Sequence, residues 1–313
     1  MEEVDMNAQE RPPAVIVGVD GSPAAHEALV WAAEAAARRR EQLRIVHGLG
    51  VPTVVGTLPG AGGVERHSAV EAVREAGQAL LAESAEYARG ARPDLDVATV
   101  LGVEDAPEVL LNEAGHGDVI VVGSRGLGAV RAIVLGSVSV RTSAHAPCPV
   151  VVVPEPDGRD RHRGKVVVGV DGSDSSRRAL RFALDHALVT DSSVVVVNSW
   201  EVPLPEDSAS LAADAQSLHE EVFDRQSEEI VAGVLAEVVD DRTEALDITA
   251  VRMQADPAQA LLRAGEDADL IVVGSRGRGG VRGLVLGSTS QGVLHDARGP
   301  VAVLPPHSDE TDR

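Results

Sequence analysis

The sequence repeats itself once along its length. Three motifs recur with one common offset of 151 residues: VGVDGS, IVVGSRG and VLGS begin at Val17, Ile120 and Val134 and return at Val168, Ile271 and Val285. A period this long exceeds that of a solenoid repeat, so it indicates a duplicated domain rather than a stacked array. A chain of 313 residues is long enough for two such domains, each with its own hydrophobic core.

The repeats predict one domain at residues 13–154 and a second at residues 165–305. Residues 155–164 (EPDGRDRHRG) combine proline, glycine and charged residues without apolar periodicity, which is typical of an exposed linker. Residues 1–12 and 306–313 have the same polar character, and we expect them to be mobile tails.

Each copy alternates β-branched apolar runs with helical segments. In the first copy we predict strands at Ala14–Val19, Arg44–His47, Leu95–Leu101, Val119–Val122 and Val150–Val153. The predicted helices are Pro23–Arg39, Val64–Arg89, Ala106–Ala114 and Val138–Ala144, the first with Ser22 as its N-cap and Pro23 at its first position. Continuous apolar strands that alternate with helices favour a parallel sheet covered on both faces. The predicted fold class is therefore α/β, with five strands in each copy.

Charge and composition exclude several classes of partner. The formal net charge is −21 and aromatic residues make up only 2%, so a surface that binds nucleic acid through clustered cations and stacking rings is not expected. No apolar run approaches the roughly 20 residues that span a bilayer. The polar N-terminus lacks the apolar core of a signal peptide, and Cys148 is the only cysteine, so no intrachain disulfide forms. These features favour the cytoplasm.

A glycine-rich loop follows the fourth strand of each copy. The first copy reads Gly123-x-x-Gly126, nine residues, then Gly136-Ser137, and the second copy keeps this spacing. Gly123 and Gly126 allow a sharp turn and a close approach of backbone to a ligand. Gly136 and Ser137 open a helix, whose N-terminal N–H groups and dipole suit a phosphate. Asp20 lies at the same edge of an open α/β sheet, where ligands bind. Turn and cap formation alone is the alternative interpretation of these residues.

Two motifs together, the first strand ending in Val17-Gly18-Val19-Asp20-Gly21-Ser22 and the spaced glycines after the fourth strand, resemble those of the ATP-binding subclass of the universal stress proteins. Both motifs occur in both halves, and the resemblance covers nearly all of the chain between the tails and the linker. It implies a five-stranded parallel sheet of order 3-2-1-4-5 in each copy. It also implies that the last strands, Val150–Val153 and Val301–Leu304, pair in an intrachain pseudo-dimer. A homodimer of whole chains and an unknown protein partner are further expectations.

The resemblance also assigns site residues, copy by copy. Asp20 and Asp171 would contact the adenosine moiety or help hold a metal near the phosphates, with the adenine edge near His47 and Asn198. In the first copy the implied nucleotide-binding residues are Gly18, Asp20, Gly123, Ser124, Arg125, Gly126, Gly128, Gly136, Ser137 and Val138. In the second copy they are Gly169, Asp171, Gly274, Ser275, Arg276, Gly277, Gly279, Gly287, Ser288 and Thr289. The implied cofactor is ATP with Mg²⁺.

Other nucleotide-enzyme motifs are missing from the sequence. A P-loop needs a lysine after its second glycine, and Lys165 is the only lysine of the chain. The turn after the first strand reads Gly18-Val19-Asp20-Gly21-Ser22, which fits neither the dehydrogenase fingerprint nor the Ser-Gly-Gly-x-Asp-Ser loop of related pyrophosphatases and ligases. The histidines lack a metal-ligand spacing, so we predict no dedicated metal site.

Nucleophilic catalysis is also not expected. The one pair to consider, Cys148 with His145, has no counterpart in the second copy, and we interpret Cys148 as a small buried or strand-entry residue. We predict no catalytic residue. Three functions stay open: an ATP-binding regulatory or stress-response protein, a slow Mg²⁺-dependent ATPase or phosphotransferase, and a nucleotide-free dimerisation scaffold.

The two loops differ in charge. Arg278 stands in the second loop where the first has Leu127. A cation in this position attracts a polyanionic nucleotide, so we expect the second copy to bind ATP more tightly, by up to about 1 kcal/mol if the arginine is partly exposed.

Overall fold

The computed structural model describes residues 11–50, 63–126, 135–156, 163–201, 213–277 and 286–305. The chain divides into two compact units, Met1–Asp157 and Gly158–Arg313. Several sequence predictions fall outside the described residues: residues 1–10 and 306–313 of the expected tails, residues 157–162 of the expected linker, and the loop residues Gly128, Gly279 and Arg278.

The first unit is a five-stranded parallel sheet with helices between its strands. Its elements are β1 (Ala14–Gly18), α1 (Pro23–Arg39), β2 (Gln42–Gly48), α2 (Gly63–Ala91), β3 (Val97–Gly102), α3 (Ala106–Glu113), β4 (Val119–Gly123), α4 (Ser137–His145) and β5 (Val150–Val153). The strands lie in the order β3-β2-β1-β4-β5, and each neighbouring pair is parallel.

The second unit repeats this arrangement. Its elements are β6 (Lys165–Gly169), α5 (Asp174–Thr190), β7 (Ser193–Trp200), α6 (Ala213–Val238), β8 (Ile248–Gln254), α7 (Pro257–Ala264), β9 (Leu270–Gly274), α8 (Ser288–Asp296) and β10 (Val301–Leu304). The strands lie in the order β8-β7-β6-β9-β10, again all parallel. The predicted α/β class and the order 3-2-1-4-5 are confirmed.

The central strands are buried because helices cover both faces of each sheet. Val15, Ile16 and Val17 of β1 have no exposed surface, and Val166, Val167 and Val168 of β6 match them. Burying a side chain of this kind contributes about 1.5–3 kcal/mol. Alternation of apolar and polar residues is therefore absent from these strands, as expected for a parallel sheet.

The strand register positions the candidate loops. Val17 of β1 is paired with Val121 of β4, so the carboxyl ends of these two strands lie side by side. From β1 the chain crosses to β2 on one side, and from β4 it crosses to β5 on the other side. Open α/β sheets bind ligands where two neighbouring strands diverge in this way. The predicted cap is also confirmed: the Ser22 hydroxyl accepts a hydrogen bond from the Ala25 N–H at 3.2 Å, with Pro23 at the start of α1.

The predicted end of the second strand needs correction because it bears on the adenine edge. The prediction ended the second strand at His47 and placed the adenine edge just after it. In the structure β2 ends at Gly48 and β7 extends to Trp200, so His47 and Asn198 lie within strands. The strands are longer because β3 and β8 provide ladder partners up to these residues.

Candidate functional site

An aspartate packs against the glycine-rich loop in each unit. In the first unit the Asp20 Oδ1 accepts a hydrogen bond from the Ser22 N–H at 2.9 Å. Its Oδ2 lies so close to Gly126 that a Cβ built on that glycine would be 2.4 Å away. In the second unit the corresponding distance, from Gly277 to the Asp171 Oδ2, is 2.5 Å. Only glycine leaves room for the carboxylate at this place in the loop.

The base of the first loop is closed by hydrogen bonds between its two ends. The Ser124 N–H donates to the Val153 carbonyl at 2.7 Å, and the Gly136 N–H donates to the Ser124 carbonyl at 2.8 Å. The Ser139 hydroxyl donates to the Gly136 carbonyl at 2.9 Å and also lies 3.4 Å from the Ser124 carbonyl. These bonds fix where the loop leaves β4 and where it enters α4.

The second loop has the same closure. The Gly287 N–H donates to the Ser275 carbonyl at 2.7 Å, and the Ser290 hydroxyl reaches both carbonyls, at 2.9 Å and 3.1 Å. Sequence reasoning missed Ser139 and Ser290. They stand 151 residues apart, so the offset of the repeat is the signal that would have found them.

The helices that follow the two loops lack a side-chain cap. Gly136 and Gly287 are the N-caps of α4 and α8, and neither helix receives a side-chain hydrogen bond there. Other helices of the described part of the chain have such a cap: α1, α3, α5 and α7 use Ser22, Asp105, Ser173 and Asp256. The first-turn N–H groups of α4 and α8 therefore remain available to an anion.

A cavity of about 480 Å³ brings the second-unit residues together. Of the predicted site residues, it is lined by Gly169, Asp171, Gly274, Arg276, Gly277, Gly287, Ser288 and Thr289. Ser275 is not in the lining, because its side chain is fully buried and its backbone closes the loop. A carboxylate, a guanidinium group and an uncapped helix N-terminus thus face one space.

The cavity also has apolar walls that sequence reasoning did not assign. They come from the carboxyl ends of the strands, from α7 and from the residue before the N-cap of α8, and comprise Val170, Val197, Pro257, Leu261, Val273 and Leu286. No local sequence signal marks these residues, because they resemble any other core position. Together they form a non-polar wall of the kind that lines ligand pockets.

Comparison with known protein families shows which family the chain belongs to. The profile of the universal stress protein family matches residues 13–154 and again residues 162–305. The chain belongs to the universal stress protein family. It is 34% identical over 300 residues to the universal stress protein Rv2623 of Mycobacterium tuberculosis strain H37Rv, covering 92% of this chain and 95% of that protein. It is 33% identical to the universal stress protein Rv2005c of the same strain, with 92% and 96% covered.

A solved structure shares the fold of the whole chain. The crystal structure of a universal stress protein from Archaeoglobus fulgidus DSM 4304 aligns with a TM-score of 0.65 over 95% of this chain and 97% of that chain. The two sequences are 19% identical. This comparison therefore shows a likeness of fold alone.

The family glycines at the ends of β4 and β9 have a packing role. A Cβ on Gly123 would lie 2.7 Å from the backbone carbon of Ala24 and 2.8 Å from the Ala25 nitrogen, and one on Gly274 would lie 2.4 Å from the Ser175 hydroxyl. Neither these glycines nor Gly126 has a positive φ. A close approach of neighbouring atoms, and not a left-handed backbone, is therefore what requires glycine at these positions. The loop needs glycine because α1 and α5 start within contact distance of the strand ends.

The adenine-edge residues have side chains that are used within the fold. Asn198 donates to the Val170 carbonyl at 2.6 Å and accepts a hydrogen bond from Ser227 at 2.6 Å. In the first unit the His47 Nδ1 lies 2.7 Å from the Val19 carbonyl, the equivalent contact. The neighbours Val197 and Ser199 line the cavity instead. Because its side chain is used within the fold, only the backbone of Asn198 is available to contact a ligand.

An arginine of each loop has a buried nitrogen without a partner. The Nε atoms of Arg125 and Arg276 are inaccessible to solvent and find no acceptor within the described ranges. The Arg125 carbonyl accepts a hydrogen bond from the Ser22 hydroxyl at 3.3 Å, which ties this part of the loop to the start of α1. A buried N–H without an acceptor is costly, so in both copies this nitrogen calls for an acceptor beyond the described residues.

Cys148 has no features of a nucleophile. Its side chain is 1% exposed, and burial raises the pKa of its thiol to about 12. The His145 Nδ1 lies 2.9 Å from the Arg141 carbonyl. The interpretation of Cys148 as a buried residue is confirmed, because a thiol with this pKa stays protonated at neutral pH.

The described residues contain neither a cluster of metal-ligand side chains nor a membrane-spanning helix. No group of three or more His, Cys, Asp or Glu side chains within the described ranges converges to hold a metal ion. Among the helices in those ranges, none is both long enough and apolar enough to cross a membrane.

Proposed function

We propose that each unit binds one molecule of ATP, and that the protein acts as a nucleotide-dependent regulator in a stress response. The observation that carries the proposal is the second-unit cavity, in which a carboxylate, an arginine and an uncapped helix N-terminus face a non-polar wall. A nucleotide combines a planar ring, a hydroxylated sugar and a polyanion, and this lining is complementary to all three.

The phosphates would bind at the start of α8 in the second unit and of α4 in the first. The N–H groups of Ser288 and Thr289, with the Ser288 hydroxyl, lie at a helix end that lacks a side-chain cap. The dipole of the helix adds to the attraction of an anion there. The Nε of Arg276 has no acceptor among the described residues, and a phosphate oxygen would supply one. Ser137, Val138 and Arg125 are the first-unit counterparts.

The adenosine would lie between the aspartate and the apolar wall. Asp171 lines the cavity beside Gly169, whose missing side chain leaves Leu261 within reach: a Cβ there would be 3.0 Å from the leucine Cδ1. A carboxylate that already accepts the Ser173 N–H at 2.9 Å is held in place for ribose hydroxyls. Val197 and Ser199 supply the wall and the backbone for the base.

The lining also fits ATP in its magnesium form. Mg²⁺ keeps several waters and needs only one or two carboxylates beside the phosphate oxygens. Among the described residues of the cavity lining, Asp171 is the one that carries a carboxylate. When bound, the ion would neutralise phosphate charge in a protein whose own net charge is −21.

A regulatory role fits better than an enzymatic one. Efficient hydrolysis needs a base that orients a water in line with the leaving group. Asp171 is engaged by Ser173 and packs against Gly277, so it is poorly disposed for that role. Binding without rapid turnover suits a sensor whose state follows the nucleotide pool. We further propose a cytoplasmic location, an unknown protein partner, and the intrachain pseudo-dimer and homodimer that the sequence predicts.

Nucleotide release from the purified protein tests the proposal. We expect acid denaturation of natively purified protein to release adenine nucleotide that mass spectrometry identifies, and added Mg²⁺-ATP to refill the sites of stripped protein. Single-turnover measurements should give little hydrolysis, whereas turnover at a rate near one per second would favour the ATPase alternative. Folded protein that neither carries nor takes up nucleotide would favour the scaffold alternative.

A further inference from the structure

The two units differ at one contact between their first two helices. In the first unit the ring of His26 in α1 meets the ring of Tyr87 in α2, with centroids 4.7 Å apart and an interplanar angle of 64°. In the second unit Arg177 of α5 forms an ion pair with Glu237 of α6. His26 and Arg177 are 151 residues apart, so they occupy the same place in the repeat.

Tyr87 and Glu237 are also equivalent, although the offset between α2 and α6 is 150 residues. The burial pattern fixes this register. In α2 the buried positions include Gly77, Leu81, Ser84 and Ala88; in α6 they include Ser227, Val231, Val234 and Val238. An aromatic pair in one unit therefore takes the place of an ion pair in the other.

In the second unit the guanidinium group covers the turn before α5. The Arg177 Nη1 donates to the Gly172 carbonyl at 2.7 Å and reaches the Asp174 carboxylate at 3.3 Å, while its Nε pairs with Glu237. Gly172 and its first-unit equivalent Gly21 both have a φ of +81°, so the turn is the same in the two units. In the first unit no described side chain donates to the Gly21 carbonyl.

The shorter side chain of His26 leaves a crevice of about 220 Å³ beside the first-unit turn. It is lined by Gly21, by apolar side chains of α1 and α2, and by His26 and Tyr87. Glu83 lines it as well, at a position where the second unit has Gly233. Thus the first unit lacks the cation of the second unit and has an additional acid.

We propose that this crevice binds a guanidinium group supplied from outside the chain. The second unit shows the group that fits this turn, and the first unit keeps one of its acceptors, the Gly21 carbonyl, and adds the Glu83 carboxylate in place of those of Asp174 and Glu237. A guanidinium ion would donate to the Gly21 carbonyl and to the Glu83 carboxylate, and its plane would lie against the ring of Tyr87. The ligand is either a small free guanidinium compound or the arginine side chain of a peptide. The strongly acidic surface favours the approach of both.

The ring of Tyr87 offers a direct readout, because it is the only tyrosine of the chain. We expect ethylguanidinium chloride to shift the Tyr87 cross-peak of the full-length protein labelled with ¹³C-tyrosine, saturably and with a dissociation constant of about millimolar. Titrations at constant ionic strength with sodium chloride remove the general effect of salt. Ethylurea has the same shape without the charge, and we expect it to bind at least about tenfold more weakly.

Two variants and one control locate the binding. His26→Arg places a guanidinium group in the crevice, as in the second unit, and should abolish the response to ethylguanidinium. Glu83→Gln should weaken it about fivefold to tenfold, and this variant decides the matter if His26→Arg does not fold. Glu86→Gln removes a carboxylate of the same helix that does not line the crevice, and should bind as the wild type does.

The comparison of probes separates the two sources of the ligand. If a tripeptide with a central arginine binds more tightly than ethylguanidinium, the crevice receives the side chain of a partner; weaker binding of the peptide indicates a small free compound. The absence of a saturable shift would overturn the proposal. Equal binding of ethylurea, or equal effects of the Glu83 and Glu86 variants, would also overturn it.

Discussion

Each loop has a second glycine, Gly126 or Gly277, and its replacement by alanine should remove the nucleotide site of that unit alone. In Gly277→Ala the new Cβ would stand 2.5 Å from the Asp171 Oδ2, whereas ordinary contact begins at 3.4 Å. The carboxylate must retreat, and its Oδ1 then loses hydrogen bonds that are now 2.9 Å and 2.6 Å long to the Ser173 N–H and hydroxyl. Hydrogen bonds to a charged group contribute about 1.5–3 kcal/mol. An aspartate so displaced no longer meets the nucleotide, so we expect ATP to bind about 10- to 100-fold more weakly at this site.

Isothermal titration calorimetry with Mg²⁺-ATP measures this loss. The wild type should bind two molecules per chain, Gly126→Ala and Gly277→Ala should each bind one tightly, and the double variant should bind neither tightly. Gly90→Ala is the matched control, because a Cβ there meets nothing within 4 Å. Circular dichroism establishes that every variant is folded. Wild-type affinity and stoichiometry in the folded double variant would refute the role assigned to these carboxylates.

Three further predictions concern the loops and the core. Gly123→Ala should destabilise the first unit by about 1–3 kcal/mol in urea unfolding, because the new Cβ would lie 2.7 Å and 2.8 Å from backbone atoms that cannot move away. Gly90→Ala should be neutral or stabilising, because its Cβ meets nothing within 4 Å. Equal effects of the two substitutions would contradict the packing role of Gly123. The thiol of Cys148 is protonated in the folded protein up to a pKa of about 12 but ionises from about 9.0 once unfolded. The stability of the wild type relative to Cys148→Ala should therefore be constant below pH 9 and fall by roughly 1 kcal/mol per pH unit above it, and a constant difference would contradict the burial. Arg278→Leu should weaken ATP binding at the second site by up to about fivefold if the arginine is partly exposed; unchanged calorimetry in a Gly126→Ala background would remove the predicted asymmetry.

The fold could be predicted from the sequence because its determinants are local and occur twice. Apolar strands such as Val119–Gly123, and the Ser22-Pro23 start of α1, each carry their own signal, and the offset of 151 residues shows that both halves use it. The identity of the loop glycines was also readable. The structural reason why these positions need glycine could not be read from the sequence. Gly123 is required by the approach of α1, a helix about a hundred residues earlier, and no local pattern reveals such a contact.

The rest of the site depends on contacts between distant segments. Ser139 and Ser290 close the loops through hydrogen bonds to carbonyl groups fifteen residues away. The repeat marks both serines as a pair, but it does not reveal what they contact. The apolar wall, including Val197 and Leu261, is formed where strand ends and a helix converge. The exchange of His26 for Arg177 is visible in the alignment of the two halves, but its consequence, the crevice beside Gly21, needs the packing of α1 on α2.

Equilibrium dialysis of stripped, folded protein against radiolabelled ATP and Mg²⁺ tests most directly whether the paired clefts hold nucleotide. The account predicts saturation at two molecules per chain below millimolar ATP, with a proportionate loss when Asp20 or Asp171 is replaced by alanine. No bound nucleotide at millimolar ATP, or binding that survives replacement of both aspartates, would contradict it.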